Sequence, residues 1–427
     1  MTSVAVAEVA ESTTARGFWT RSRRAGTAYL LLGLIAASVF GALAASVDAR
    51  FTLTEDAEGL SLDIPGRAGA IAFGVVCAAV GVALLAGLGK QHFGWTTAVA
   101  IASFVLSFLC WQISAAKSGG HFMPLVDIAR GSLFLAMPLI LGALSGVLCE
   151  RSGVININIE GQFLMGAFAG ALVGTVAAST WAGLVAAGLA GCLLAAVLAV
   201  LAIRYLVDQV VLGVVLNLLA LGITGFLYER LMQVHQEEFN SPPVFHTWKV
   251  PLLSEIPVLG PAVFDANVFV YLALILVAVI HVALFQTRWG LRVRAVGEHP
   301  TAADTVGVRV RLVRYRNVLL GGLIAGVGGA YFTLGTIGAF TKNMTAGKGF
   351  IALAALIFGR WSPTGALLAA LLFGFADKLQ NYLSLIGSPI PSSFLVMLPY
   401  LATILAVAGL VGRVRAPAAD GKPYVKG

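Results

Sequence analysis

Charged residues are scarce in this chain: Asp, Glu, Lys and Arg together make up 11% of its 427 residues. A soluble globular domain carries about a quarter charged residues. Hydrophobic residues reach 59%, and the mean hydropathy is +0.91. This balance excludes a soluble enzyme, a disordered chain and a fibrous protein, and it indicates a protein of the lipid bilayer.

The chain also lacks the motifs of common catalytic and cofactor sites. It has no GxxxxGK(S/T) phosphate loop, no HExxH pair and no GxSxG elbow. Its six histidines are scattered and its four cysteines form no CxxC pair, so we expect no metal site, no disulfide framework and no cofactor on this chain. The formal net charge of +8 does not indicate a nucleic-acid partner, because excess Lys and Arg in a membrane protein mark cytoplasmic loops.

Long apolar runs are abundant. A bilayer core of about 30 Å needs roughly 20 apolar residues in a helix. Runs of about that length lie at 27–47, 67–89, 95–115, 128–149, 159–179, 181–203, 208–228, 267–286, 317–337, 364–382 and 394–412. A further run at 349–360 is too short for an ordinary crossing and is interpreted as a short or re-entrant span. We therefore predict an all-α polytopic membrane protein with about 11–12 transmembrane helices.

The distribution of basic residues predicts the orientation. With the N-terminus inside and twelve alternating spans, 19 of the 28 Lys and Arg residues fall on the cytoplasmic side and 6 outside, and the other three lie at or within spans. This is the asymmetry that the positive-inside rule describes. We predict cytoplasmic N- and C-termini, and we expect the short, polar tail 413–427 to be unstructured.

The segment 149–174 departs from the helical pattern at a predicted membrane face. Asn156, Asn158 and Glu160 alternate with isoleucines, which is the period of a strand, and a helical pattern resumes near Gln162. A non-helical stretch that opens a helix leaves free backbone N–H groups and a positive dipole end, which suits a gate or a path for a polar substrate. An ordinary turn whose asparagines cap the next helix is an equally good interpretation.

Small residues recur at a spacing of about four in two predicted spans. They are Gly166, Gly170 and Gly174 in the first span and Gly322, Ala325, Gly326 and Gly329 in the second. We interpret this pattern as close packing between helices.

The predicted cytoplasmic loop 287–316 contains seven arginines around a short segment that favours a helix. Pro300 suits a first helical turn, Ala302 and Ala303 favour helix, and Gly307 stops it. Such a helix, with its small residues exposed, can dock in the groove of a partner protein. A basic loop that rests on anionic lipid headgroups is the alternative, and both interpretations can hold for different residues.

Polar residues inside or at the ends of the apolar runs are further candidates for a transport path. They are Gln209, Asn217, Asp377, Lys378 and Asn381. Groups of this kind are costly in lipid and usually face the interior of the bundle. Lys378 lies near the outer end of its span, and we expect it to snorkel towards the interface.

Two segments together resemble one family. ERSGVININIEG at 150–161 and GEHPTAADTVGV at 297–308 resemble the permease subunits of ATP-binding-cassette (ABC) importers, in the branch that contains ribose and branched-chain amino acid permeases. The nucleoside and simple-sugar group looks most similar. The resemblance covers roughly 128–412, and in it Asn158 stands where glycine is usual and His299 where asparagine is commoner. Residues 1–124 have no clear counterpart, so we predict an N-terminal extension with three transmembrane helices (1–124), a permease core (125–412) and a cytoplasmic tail (413–427).

The resemblance implies a transport subunit that hydrolyses no ATP itself and lies in a bacterial plasma membrane. A cytoplasmic ABC ATPase would dock on the short helix, a second and non-identical permease subunit would complete the path, and an extracellular substrate-binding lipoprotein would deliver the substrate. The ATPase-docking motif falls on Glu298, Pro300, Ala302, Ala303, Asp304 and Gly307. The expected substrate path comprises Asn156, Asn158, Glu160, Gln209, Asn217, Asp377 and Asn381.

The leading hypothesis is the membrane-spanning subunit of an ATP-driven importer for nucleosides or similar polar, neutral solutes such as simple sugars. The candidate path residues are mostly amides, with Glu160 and Asp377 as the only acids, which favours a neutral solute. The alternative is a stand-alone ion-coupled secondary transporter with one of these acids as its proton or sodium site. A non-transporting scaffold that binds a partner through 1–124 is a third class.

Overall fold

The computed structural model describes residues 20–53, 60–88, 90–117, 122–256, 260–395, 397 and 415–426, and it is 73% helical. The predicted all-α class is confirmed. In chain order the helices are α1 (Arg21–Ile35, continued to Leu43), α2 (Gly66–Leu85), α3 (Phe93–Ser114), α4 (Leu125–Arg151), α5 (Ile159–Val176), α6 (Thr180–Ala199, continued to Arg204), α7 (Gln209–Leu227, continued to Met232), α8 (Gln236–Phe239), α9 (Val268–Gln286), α10 (Arg288–Glu298), α11 (Pro300–Thr305), α12 (Val310–Phe332, continued to Ile337), α13 (Lys348–Phe358), α14 (Pro363–Leu385) and α15 (Ser392–Leu395).

Within the described residues, nine helices are long and apolar enough to cross a bilayer: α1 to α7, α9 and α12. The predicted run 364–382 corresponds to α14, which has 23 residues but carries Asp377 and Lys378 and is not among the nine. The short run 349–360 corresponds to α13, which has 11 residues. The last predicted span, 394–412, lies almost entirely outside the described residues, so the choice between 11 and 12 crossings stays a prediction.

The contacts divide the chain into two compact units, and the first comprises the described residues before Val126 together with Asn381–Leu395. In this unit α2 packs against both α1 and α3. The three predicted spans of the N-terminal extension are therefore helices, while its boundary at residue 124 stays a prediction.

The first unit also contains a small sheet that the sequence analysis did not predict. Its strand order is β2-β1-β3, with β1 at Asp48–Thr52, β2 at Ser61–Pro65 and β3 at Phe122–Pro124. Strand β1 pairs antiparallel with β2 and parallel with β3, and an ion pair of 2.9 Å joins Arg50 to Asp63 across the first pairing. Strands of three to five residues are too short to show a period in a chain dominated by apolar runs.

The second unit comprises Val126–Gln380, residue 397 and the described part of the C-terminal tail. Helix α4 is the most deeply buried of the candidate spans. Every residue of α4 from Ala136 to Glu150 is buried. Its apolar side chains share one core with side chains from α5, α9, α12, α13 and α14. A further antiparallel strand pair, β4 (Trp248–Lys249) and β5 (Asp265–Ala266), lies in the loop before α9.

Close helix packing of α5, α6 and α12 confirms the interpretation of the glycine pattern. A Cβ atom on Gly166 would lie 2.2 Å from the carbonyl oxygen of Gly326, and one on Gly326 would lie 2.2 Å from the carbonyl oxygen of Ala187. Real Cβ atoms do not approach backbone so closely, so only glycine permits this spacing of the helix axes.

Candidate functional site

The candidate site is built around the turn between α4 and α5, residues 152–158, which we call the polar turn. Its first three N–H groups close the end of α4: Ser152 and Val154 donate to the carbonyl of Cys149, and Gly153 donates to that of Glu150. Gly153 has a φ of +86°, a conformation that favours glycine. The segment has no strand, and α5 begins at Ile159, so the predicted non-helical stretch is confirmed and the helix starts about three residues earlier than predicted.

Two amides of α7 hold the polar turn in place. The Oε1 atom of Gln209 accepts the N–H of Ile155 at 2.8 Å. Asn217 donates to the carbonyl of Ile157 at 3.0 Å and accepts the N–H of Gly161 at 2.7 Å. Gln209 and Asn217 are therefore brought to the segment that contains the other predicted path residues, and both are buried.

Asn156 points into the same region and is satisfied by neighbouring side chains. Its amide nitrogen donates to Ser145 at 3.2 Å and to Gln162 at 3.1 Å, and Gln162 donates back to its oxygen at 3.3 Å. All three side chains are buried, and buried polar groups are stable when they are paired in this way. Ser145 and Gln162 are site residues that the sequence analysis did not single out.

Asn158 occupies the N-cap position of α5 but does not cap it. The N–H of Gly161, which an N-cap side chain would normally accept, is already taken by Asn217. Among the described residues, neither amide atom of Asn158 has a hydrogen-bond partner, although the side chain is fully buried. The interpretation of this asparagine as an ordinary helix cap is therefore wrong.

Glu160 joins α5 to the loop before α13. Its carboxylate accepts the Thr345 hydroxyl at 2.5 Å, the Gly347 N–H at 2.8 Å and the Gly349 N–H at 2.6 Å. It thus caps the N-terminus of α13 with a negative charge, which the helix dipole favours. Asn343 and Ala346 in this loop have φ values of 57° and 44°, which are strained for residues other than glycine. One buried carboxylate therefore stabilises the strained conformation of this loop.

Asp377 is linked to the same loop through Lys348, the first residue of α13, with which it forms an ion pair. Its neighbour Lys378 forms an ion pair with Asp127 of α4 at 2.8 Å, so it is held by a specific partner rather than only snorkelling. Asn381, one turn further along α14, is exposed. Nothing in the sequence singles out Thr345 or Lys348, because a loop threonine and a lysine at the start of an apolar run are individually ordinary.

The predicted short helix exists in the basic loop. It is α11, which begins at Pro300 and ends at Thr305, and Gly307 follows with a φ of +85°. A second helix, α10, precedes it and ends at Glu298. Ala302 is exposed, whereas Ala303 is only 3% exposed and packs against Val296 and Val310.

One residue and one segment of this region lie differently from the prediction. Arg314, expected among the exposed or lipid-bound arginines, is 2% exposed, and it donates to the carbonyl of Lys422 at 3.0 Å. Residues 415–426 contain no helix or strand, yet they pack against this region instead of being unstructured. Neither contact could be predicted from the sequence, because a single arginine and a tail with one aromatic residue have no periodic pattern.

The described residues contain no group of three or more His, Cys, Asp or Glu side chains that could hold a metal ion. The arrangement instead offers a dense set of buried amides, one fastened carboxylate and a short surface helix. Among these groups, no nucleophile lies beside a base.

Comparison with known proteins identifies the family of this chain. The family model described as branched-chain amino acid transport system / permease component matches residues 128–410. The chain is 45% identical over 315 residues to the guanosine ABC transporter permease protein NupQ of Bacillus subtilis, covering 70% of this chain and 97% of that protein. It is 39% identical over 312 residues to the nucleoside ABC transporter permease protein NupC of Lactococcus lactis, covering 70% and 96%.

A more distant relative is the glucose ABC transporter permease protein TsgB13 of Haloferax volcanii, which is 30% identical over 252 residues, covering 56% of this chain and 66% of that protein. No solved structure matches the chain. The chain belongs to the family of branched-chain amino acid transport system permease components. It is a multi-pass membrane protein and the permease subunit of an ABC importer, and helices α1 to α3 lie outside the family match.

Proposed function

We propose that this chain carries nucleosides into the cytoplasm as the membrane-spanning subunit of an ATP-driven importer. The observation that carries the proposal is its identity of 45% and 39% to two permeases named for guanosine and nucleosides, over nearly their whole lengths. Simple sugars are the second candidate, favoured by the weaker similarity to a permease named for glucose.

The chemistry of the polar turn supports a neutral, hydrogen-bonding solute. Amides both donate and accept hydrogen bonds without carrying charge, so they match the alternating donors and acceptors of a base and a ribose. The Asn158 amide is the group whose hydrogen-bonding capacity is free among the described residues of this cluster, and we propose that it contacts the passing solute. Asn156, Gln209 and Asn217 hold the turn that presents it.

The bonds of the two acids argue against the ion-coupled alternative. The Glu160 carboxylate accepts three hydrogen bonds, and Asp377 is paired with Lys348. A proton or sodium site needs a carboxylate that can exchange its partner during transport, whereas these two hold α13 and its preceding loop in place. We therefore assign Glu160 and Asp377 to the framework of the path.

The partners follow from the same proposal. The sequence has no phosphate loop, so ATP would be hydrolysed by a cytoplasmic ABC ATPase, docked on the exposed face of α11. That face includes Ala302 and Thr305, and Val306, which directly follows the helix, is 78% exposed. A second permease subunit, an extracellular binding lipoprotein and cytoplasmic termini in a bacterial plasma membrane complete the arrangement.

Competition for uptake tests the solute class. Cells with and without the chain are given labelled guanosine in the presence of excess unlabelled adenosine, uridine, ribose or glucose. The proposal expects uptake that depends on the chain and that is inhibited by nucleosides but not by the two sugars. Inhibition by sugars alone would contradict it.

A pair of variants tests the role of Asn158 in the same assay. Asn158→Ala removes no hydrogen bond of the described structure, so the permease should remain folded while the KM for guanosine rises several-fold. Glu238→Gln changes an exposed polar residue and serves as the control. An unchanged KM in Asn158→Ala would place the solute path elsewhere.

A further inference from the structure

The described C-terminal tail, residues 415–426, is hydrogen-bonded to the end of α10. The N–H of Ala419 donates to the carbonyl of Gly297 at 2.8 Å, and the N–H of Ala418 donates to the Glu298 carboxylate at 3.2 Å. Both acceptors directly precede α11. The tail therefore meets the chain at the point where α10 turns into the short surface helix.

Tyr424 anchors the tail beneath α11. Its side chain is 6% exposed and packs in one cluster with Val296 of α10, Ala303 of α11 and Val310 of α12. The pKa of its hydroxyl is raised, first by burial and then by the neighbouring Asp304 carboxylate. The inward face of α11 thus rests on the tail, which explains why Ala303 is buried.

The same tail also lies against the polar turn. A Cβ atom on Gly153 would be 3.1 Å from the carbonyl oxygen of Ala419, and a Cβ atom on Gly421 would be 2.6 Å from the Cδ1 atom of Ile155. A Cβ atom on Gly297 would be 2.2 Å from the carbonyl oxygen of Arg151. The end of α10, the tail and the polar turn therefore meet at one place.

Polar groups of α4, α12 and the tail meet at this point. Arg314, at the start of α12, donates to the carbonyl of Lys422 and interacts with the Asp420 carboxyl. Asp420 also interacts with the carboxyl of Glu150, which accepts a hydrogen bond from Trp361. Arg314 is 2% exposed, and a buried cation needs a hydrogen-bond acceptor such as the Lys422 carbonyl. The tail therefore supplies the Lys422 carbonyl to Arg314 and the Asp420 carboxyl to Glu150.

We propose that the tail is a positioning element that holds α11 against the polar turn and transmits displacement from one to the other. This inference rests on the proposed function, since α11 is the surface on which an ATPase would dock and the polar turn presents the solute-contacting amide. Tyr424 is the positioning residue. Without it α11 loses its inward support and the tail loses its anchor, so a push on α11 no longer reaches the polar turn through the tail.

Amide hydrogen exchange on the full-length permease in lipid nanodiscs tests the element without requiring transport. Tyr424→Ala is compared with Val425→Ala, which changes the next residue, 63% exposed. We expect Tyr424→Ala to speed exchange at least about tenfold in 297–305 and also in 152–158, since both segments lose protection when the tail leaves. Val425→Ala and the amides of α4 should remain as in the wild type.

Two further variants keep the test decisive. Tyr424→Phe retains the packing and loses the hydroxyl beside Asp304, and it should show the smaller effect. Ala418→Pro removes the N–H that Glu298 accepts and leaves the hydrophobic cluster intact. It should speed exchange in both segments, and it decides the test if Tyr424→Ala also disturbs α4. In the assembled transporter, both Tyr424→Ala and Ala418→Pro should raise the ATP hydrolysed per nucleoside imported several-fold.

The contrary outcomes are distinct. Faster exchange in 297–305 with 152–158 unchanged, or the same exchange in Tyr424→Ala and Val425→Ala, overturns the positioning role of the tail. If the wild-type complex carries no nucleoside while the exchange pattern holds, the proposed function fails and the link between the two segments stands.

Discussion

Glu160 joins two parts of the second unit through one carboxylate. It lies in the first turn of α5, and its three hydrogen-bond donors come from the loop and helix 185 or more residues later in the chain. The sequence marks Glu160 as an acid among apolar residues, which is why it could be singled out. It does not reveal Thr345 or Gly349 as partners, since a contact across that separation has no spacing in the sequence.

The charge of Glu160 should matter for stability. Glu160→Gln replaces one carboxylate oxygen by an NH₂ group that faces backbone and hydroxyl donors, so at least one charge-assisted hydrogen bond is lost. Bonds of that kind contribute about 1.5–3 kcal/mol each, and we expect a loss of about 2 kcal/mol in the free energy of unfolding. Denaturant unfolding in nanodiscs measures it against the exposed Glu238→Gln. Equal stability of the two variants would show that the loop is held by other contacts.

The pKa of Asp420 predicts that the stability of the folded protein depends on pH. Burial raises the pKa of this carboxyl from 3.8 to about 7, although Glu150, the Gly421 N–H and Arg314 act in the opposite direction. A raised pKa means that the folded state binds the Asp420 proton more tightly than the unfolded state does. The stability that this proton contributes is fully present below about pH 4 and is lost as the pH rises through about 7.

Asp420→Asn keeps the carboxyl's shape without its charge and should remove that loss. The variant should therefore unfold at a higher temperature than the wild type at pH 7.5, with the difference disappearing near pH 4. Thermal unfolding across this range checks the prediction, with the exposed Glu237→Gln as its control. A difference in unfolding temperature that grows towards acid pH would contradict the prediction.

At the scale of elements, α6 and α12 depend on the absence of a side chain at their crossing. Gly326→Ala would place a Cβ atom 2.2 Å from the carbonyl of Ala187, so the helices must separate, and overpacking of this kind costs about 1–3 kcal/mol. Gly222 lies on α7 with no atom within 4 Å of its would-be Cβ. Gly222→Ala should therefore leave the unfolding midpoint unchanged or raise it slightly. A Gly326→Ala variant as stable as Gly222→Ala would mean that the crossing is loose.

Helix α11 presents two different faces, and substitutions on them should separate docking from packing. Ala302→Trp enlarges the exposed face and should weaken co-purification with the ATPase at least about tenfold while stability is retained. Ala303→Leu enlarges a residue buried against Val296, Val310 and Tyr424 and should cost about 1–3 kcal/mol of stability. Normal ATPase binding by Ala302→Trp would place the docking surface elsewhere.

The two faces of α11 also show the limit of local sequence signals. Pro300 and Gly307 mark its beginning and end because proline and glycine impose backbone conformations that do not depend on the rest of the fold. Which alanine faces inward depends on Tyr424, more than a hundred residues later. The helix could therefore be predicted from the sequence and its orientation could not.

At the scale of the whole molecule, the positions of the spans were readable because lipid imposes length and hydropathy on every crossing helix. Ten of the predicted long runs coincide with α1 to α7, α9, α12 and α14. The small sheet β2-β1-β3, the helix α10 and the packed tail were not predicted, because they lie in polar segments where hydropathy does not discriminate between structures.

The central claim is that this chain imports nucleosides at the expense of ATP. It is tested most directly by uptake of labelled guanosine into cells that carry the chain, under ATP depletion and separately under an uncoupler with ATP maintained. The account predicts that uptake is lost when ATP is depleted and persists under the uncoupler. Uptake that survives ATP depletion and disappears with the uncoupler would contradict it and would return Glu160 and Asp377 to consideration as an ion site.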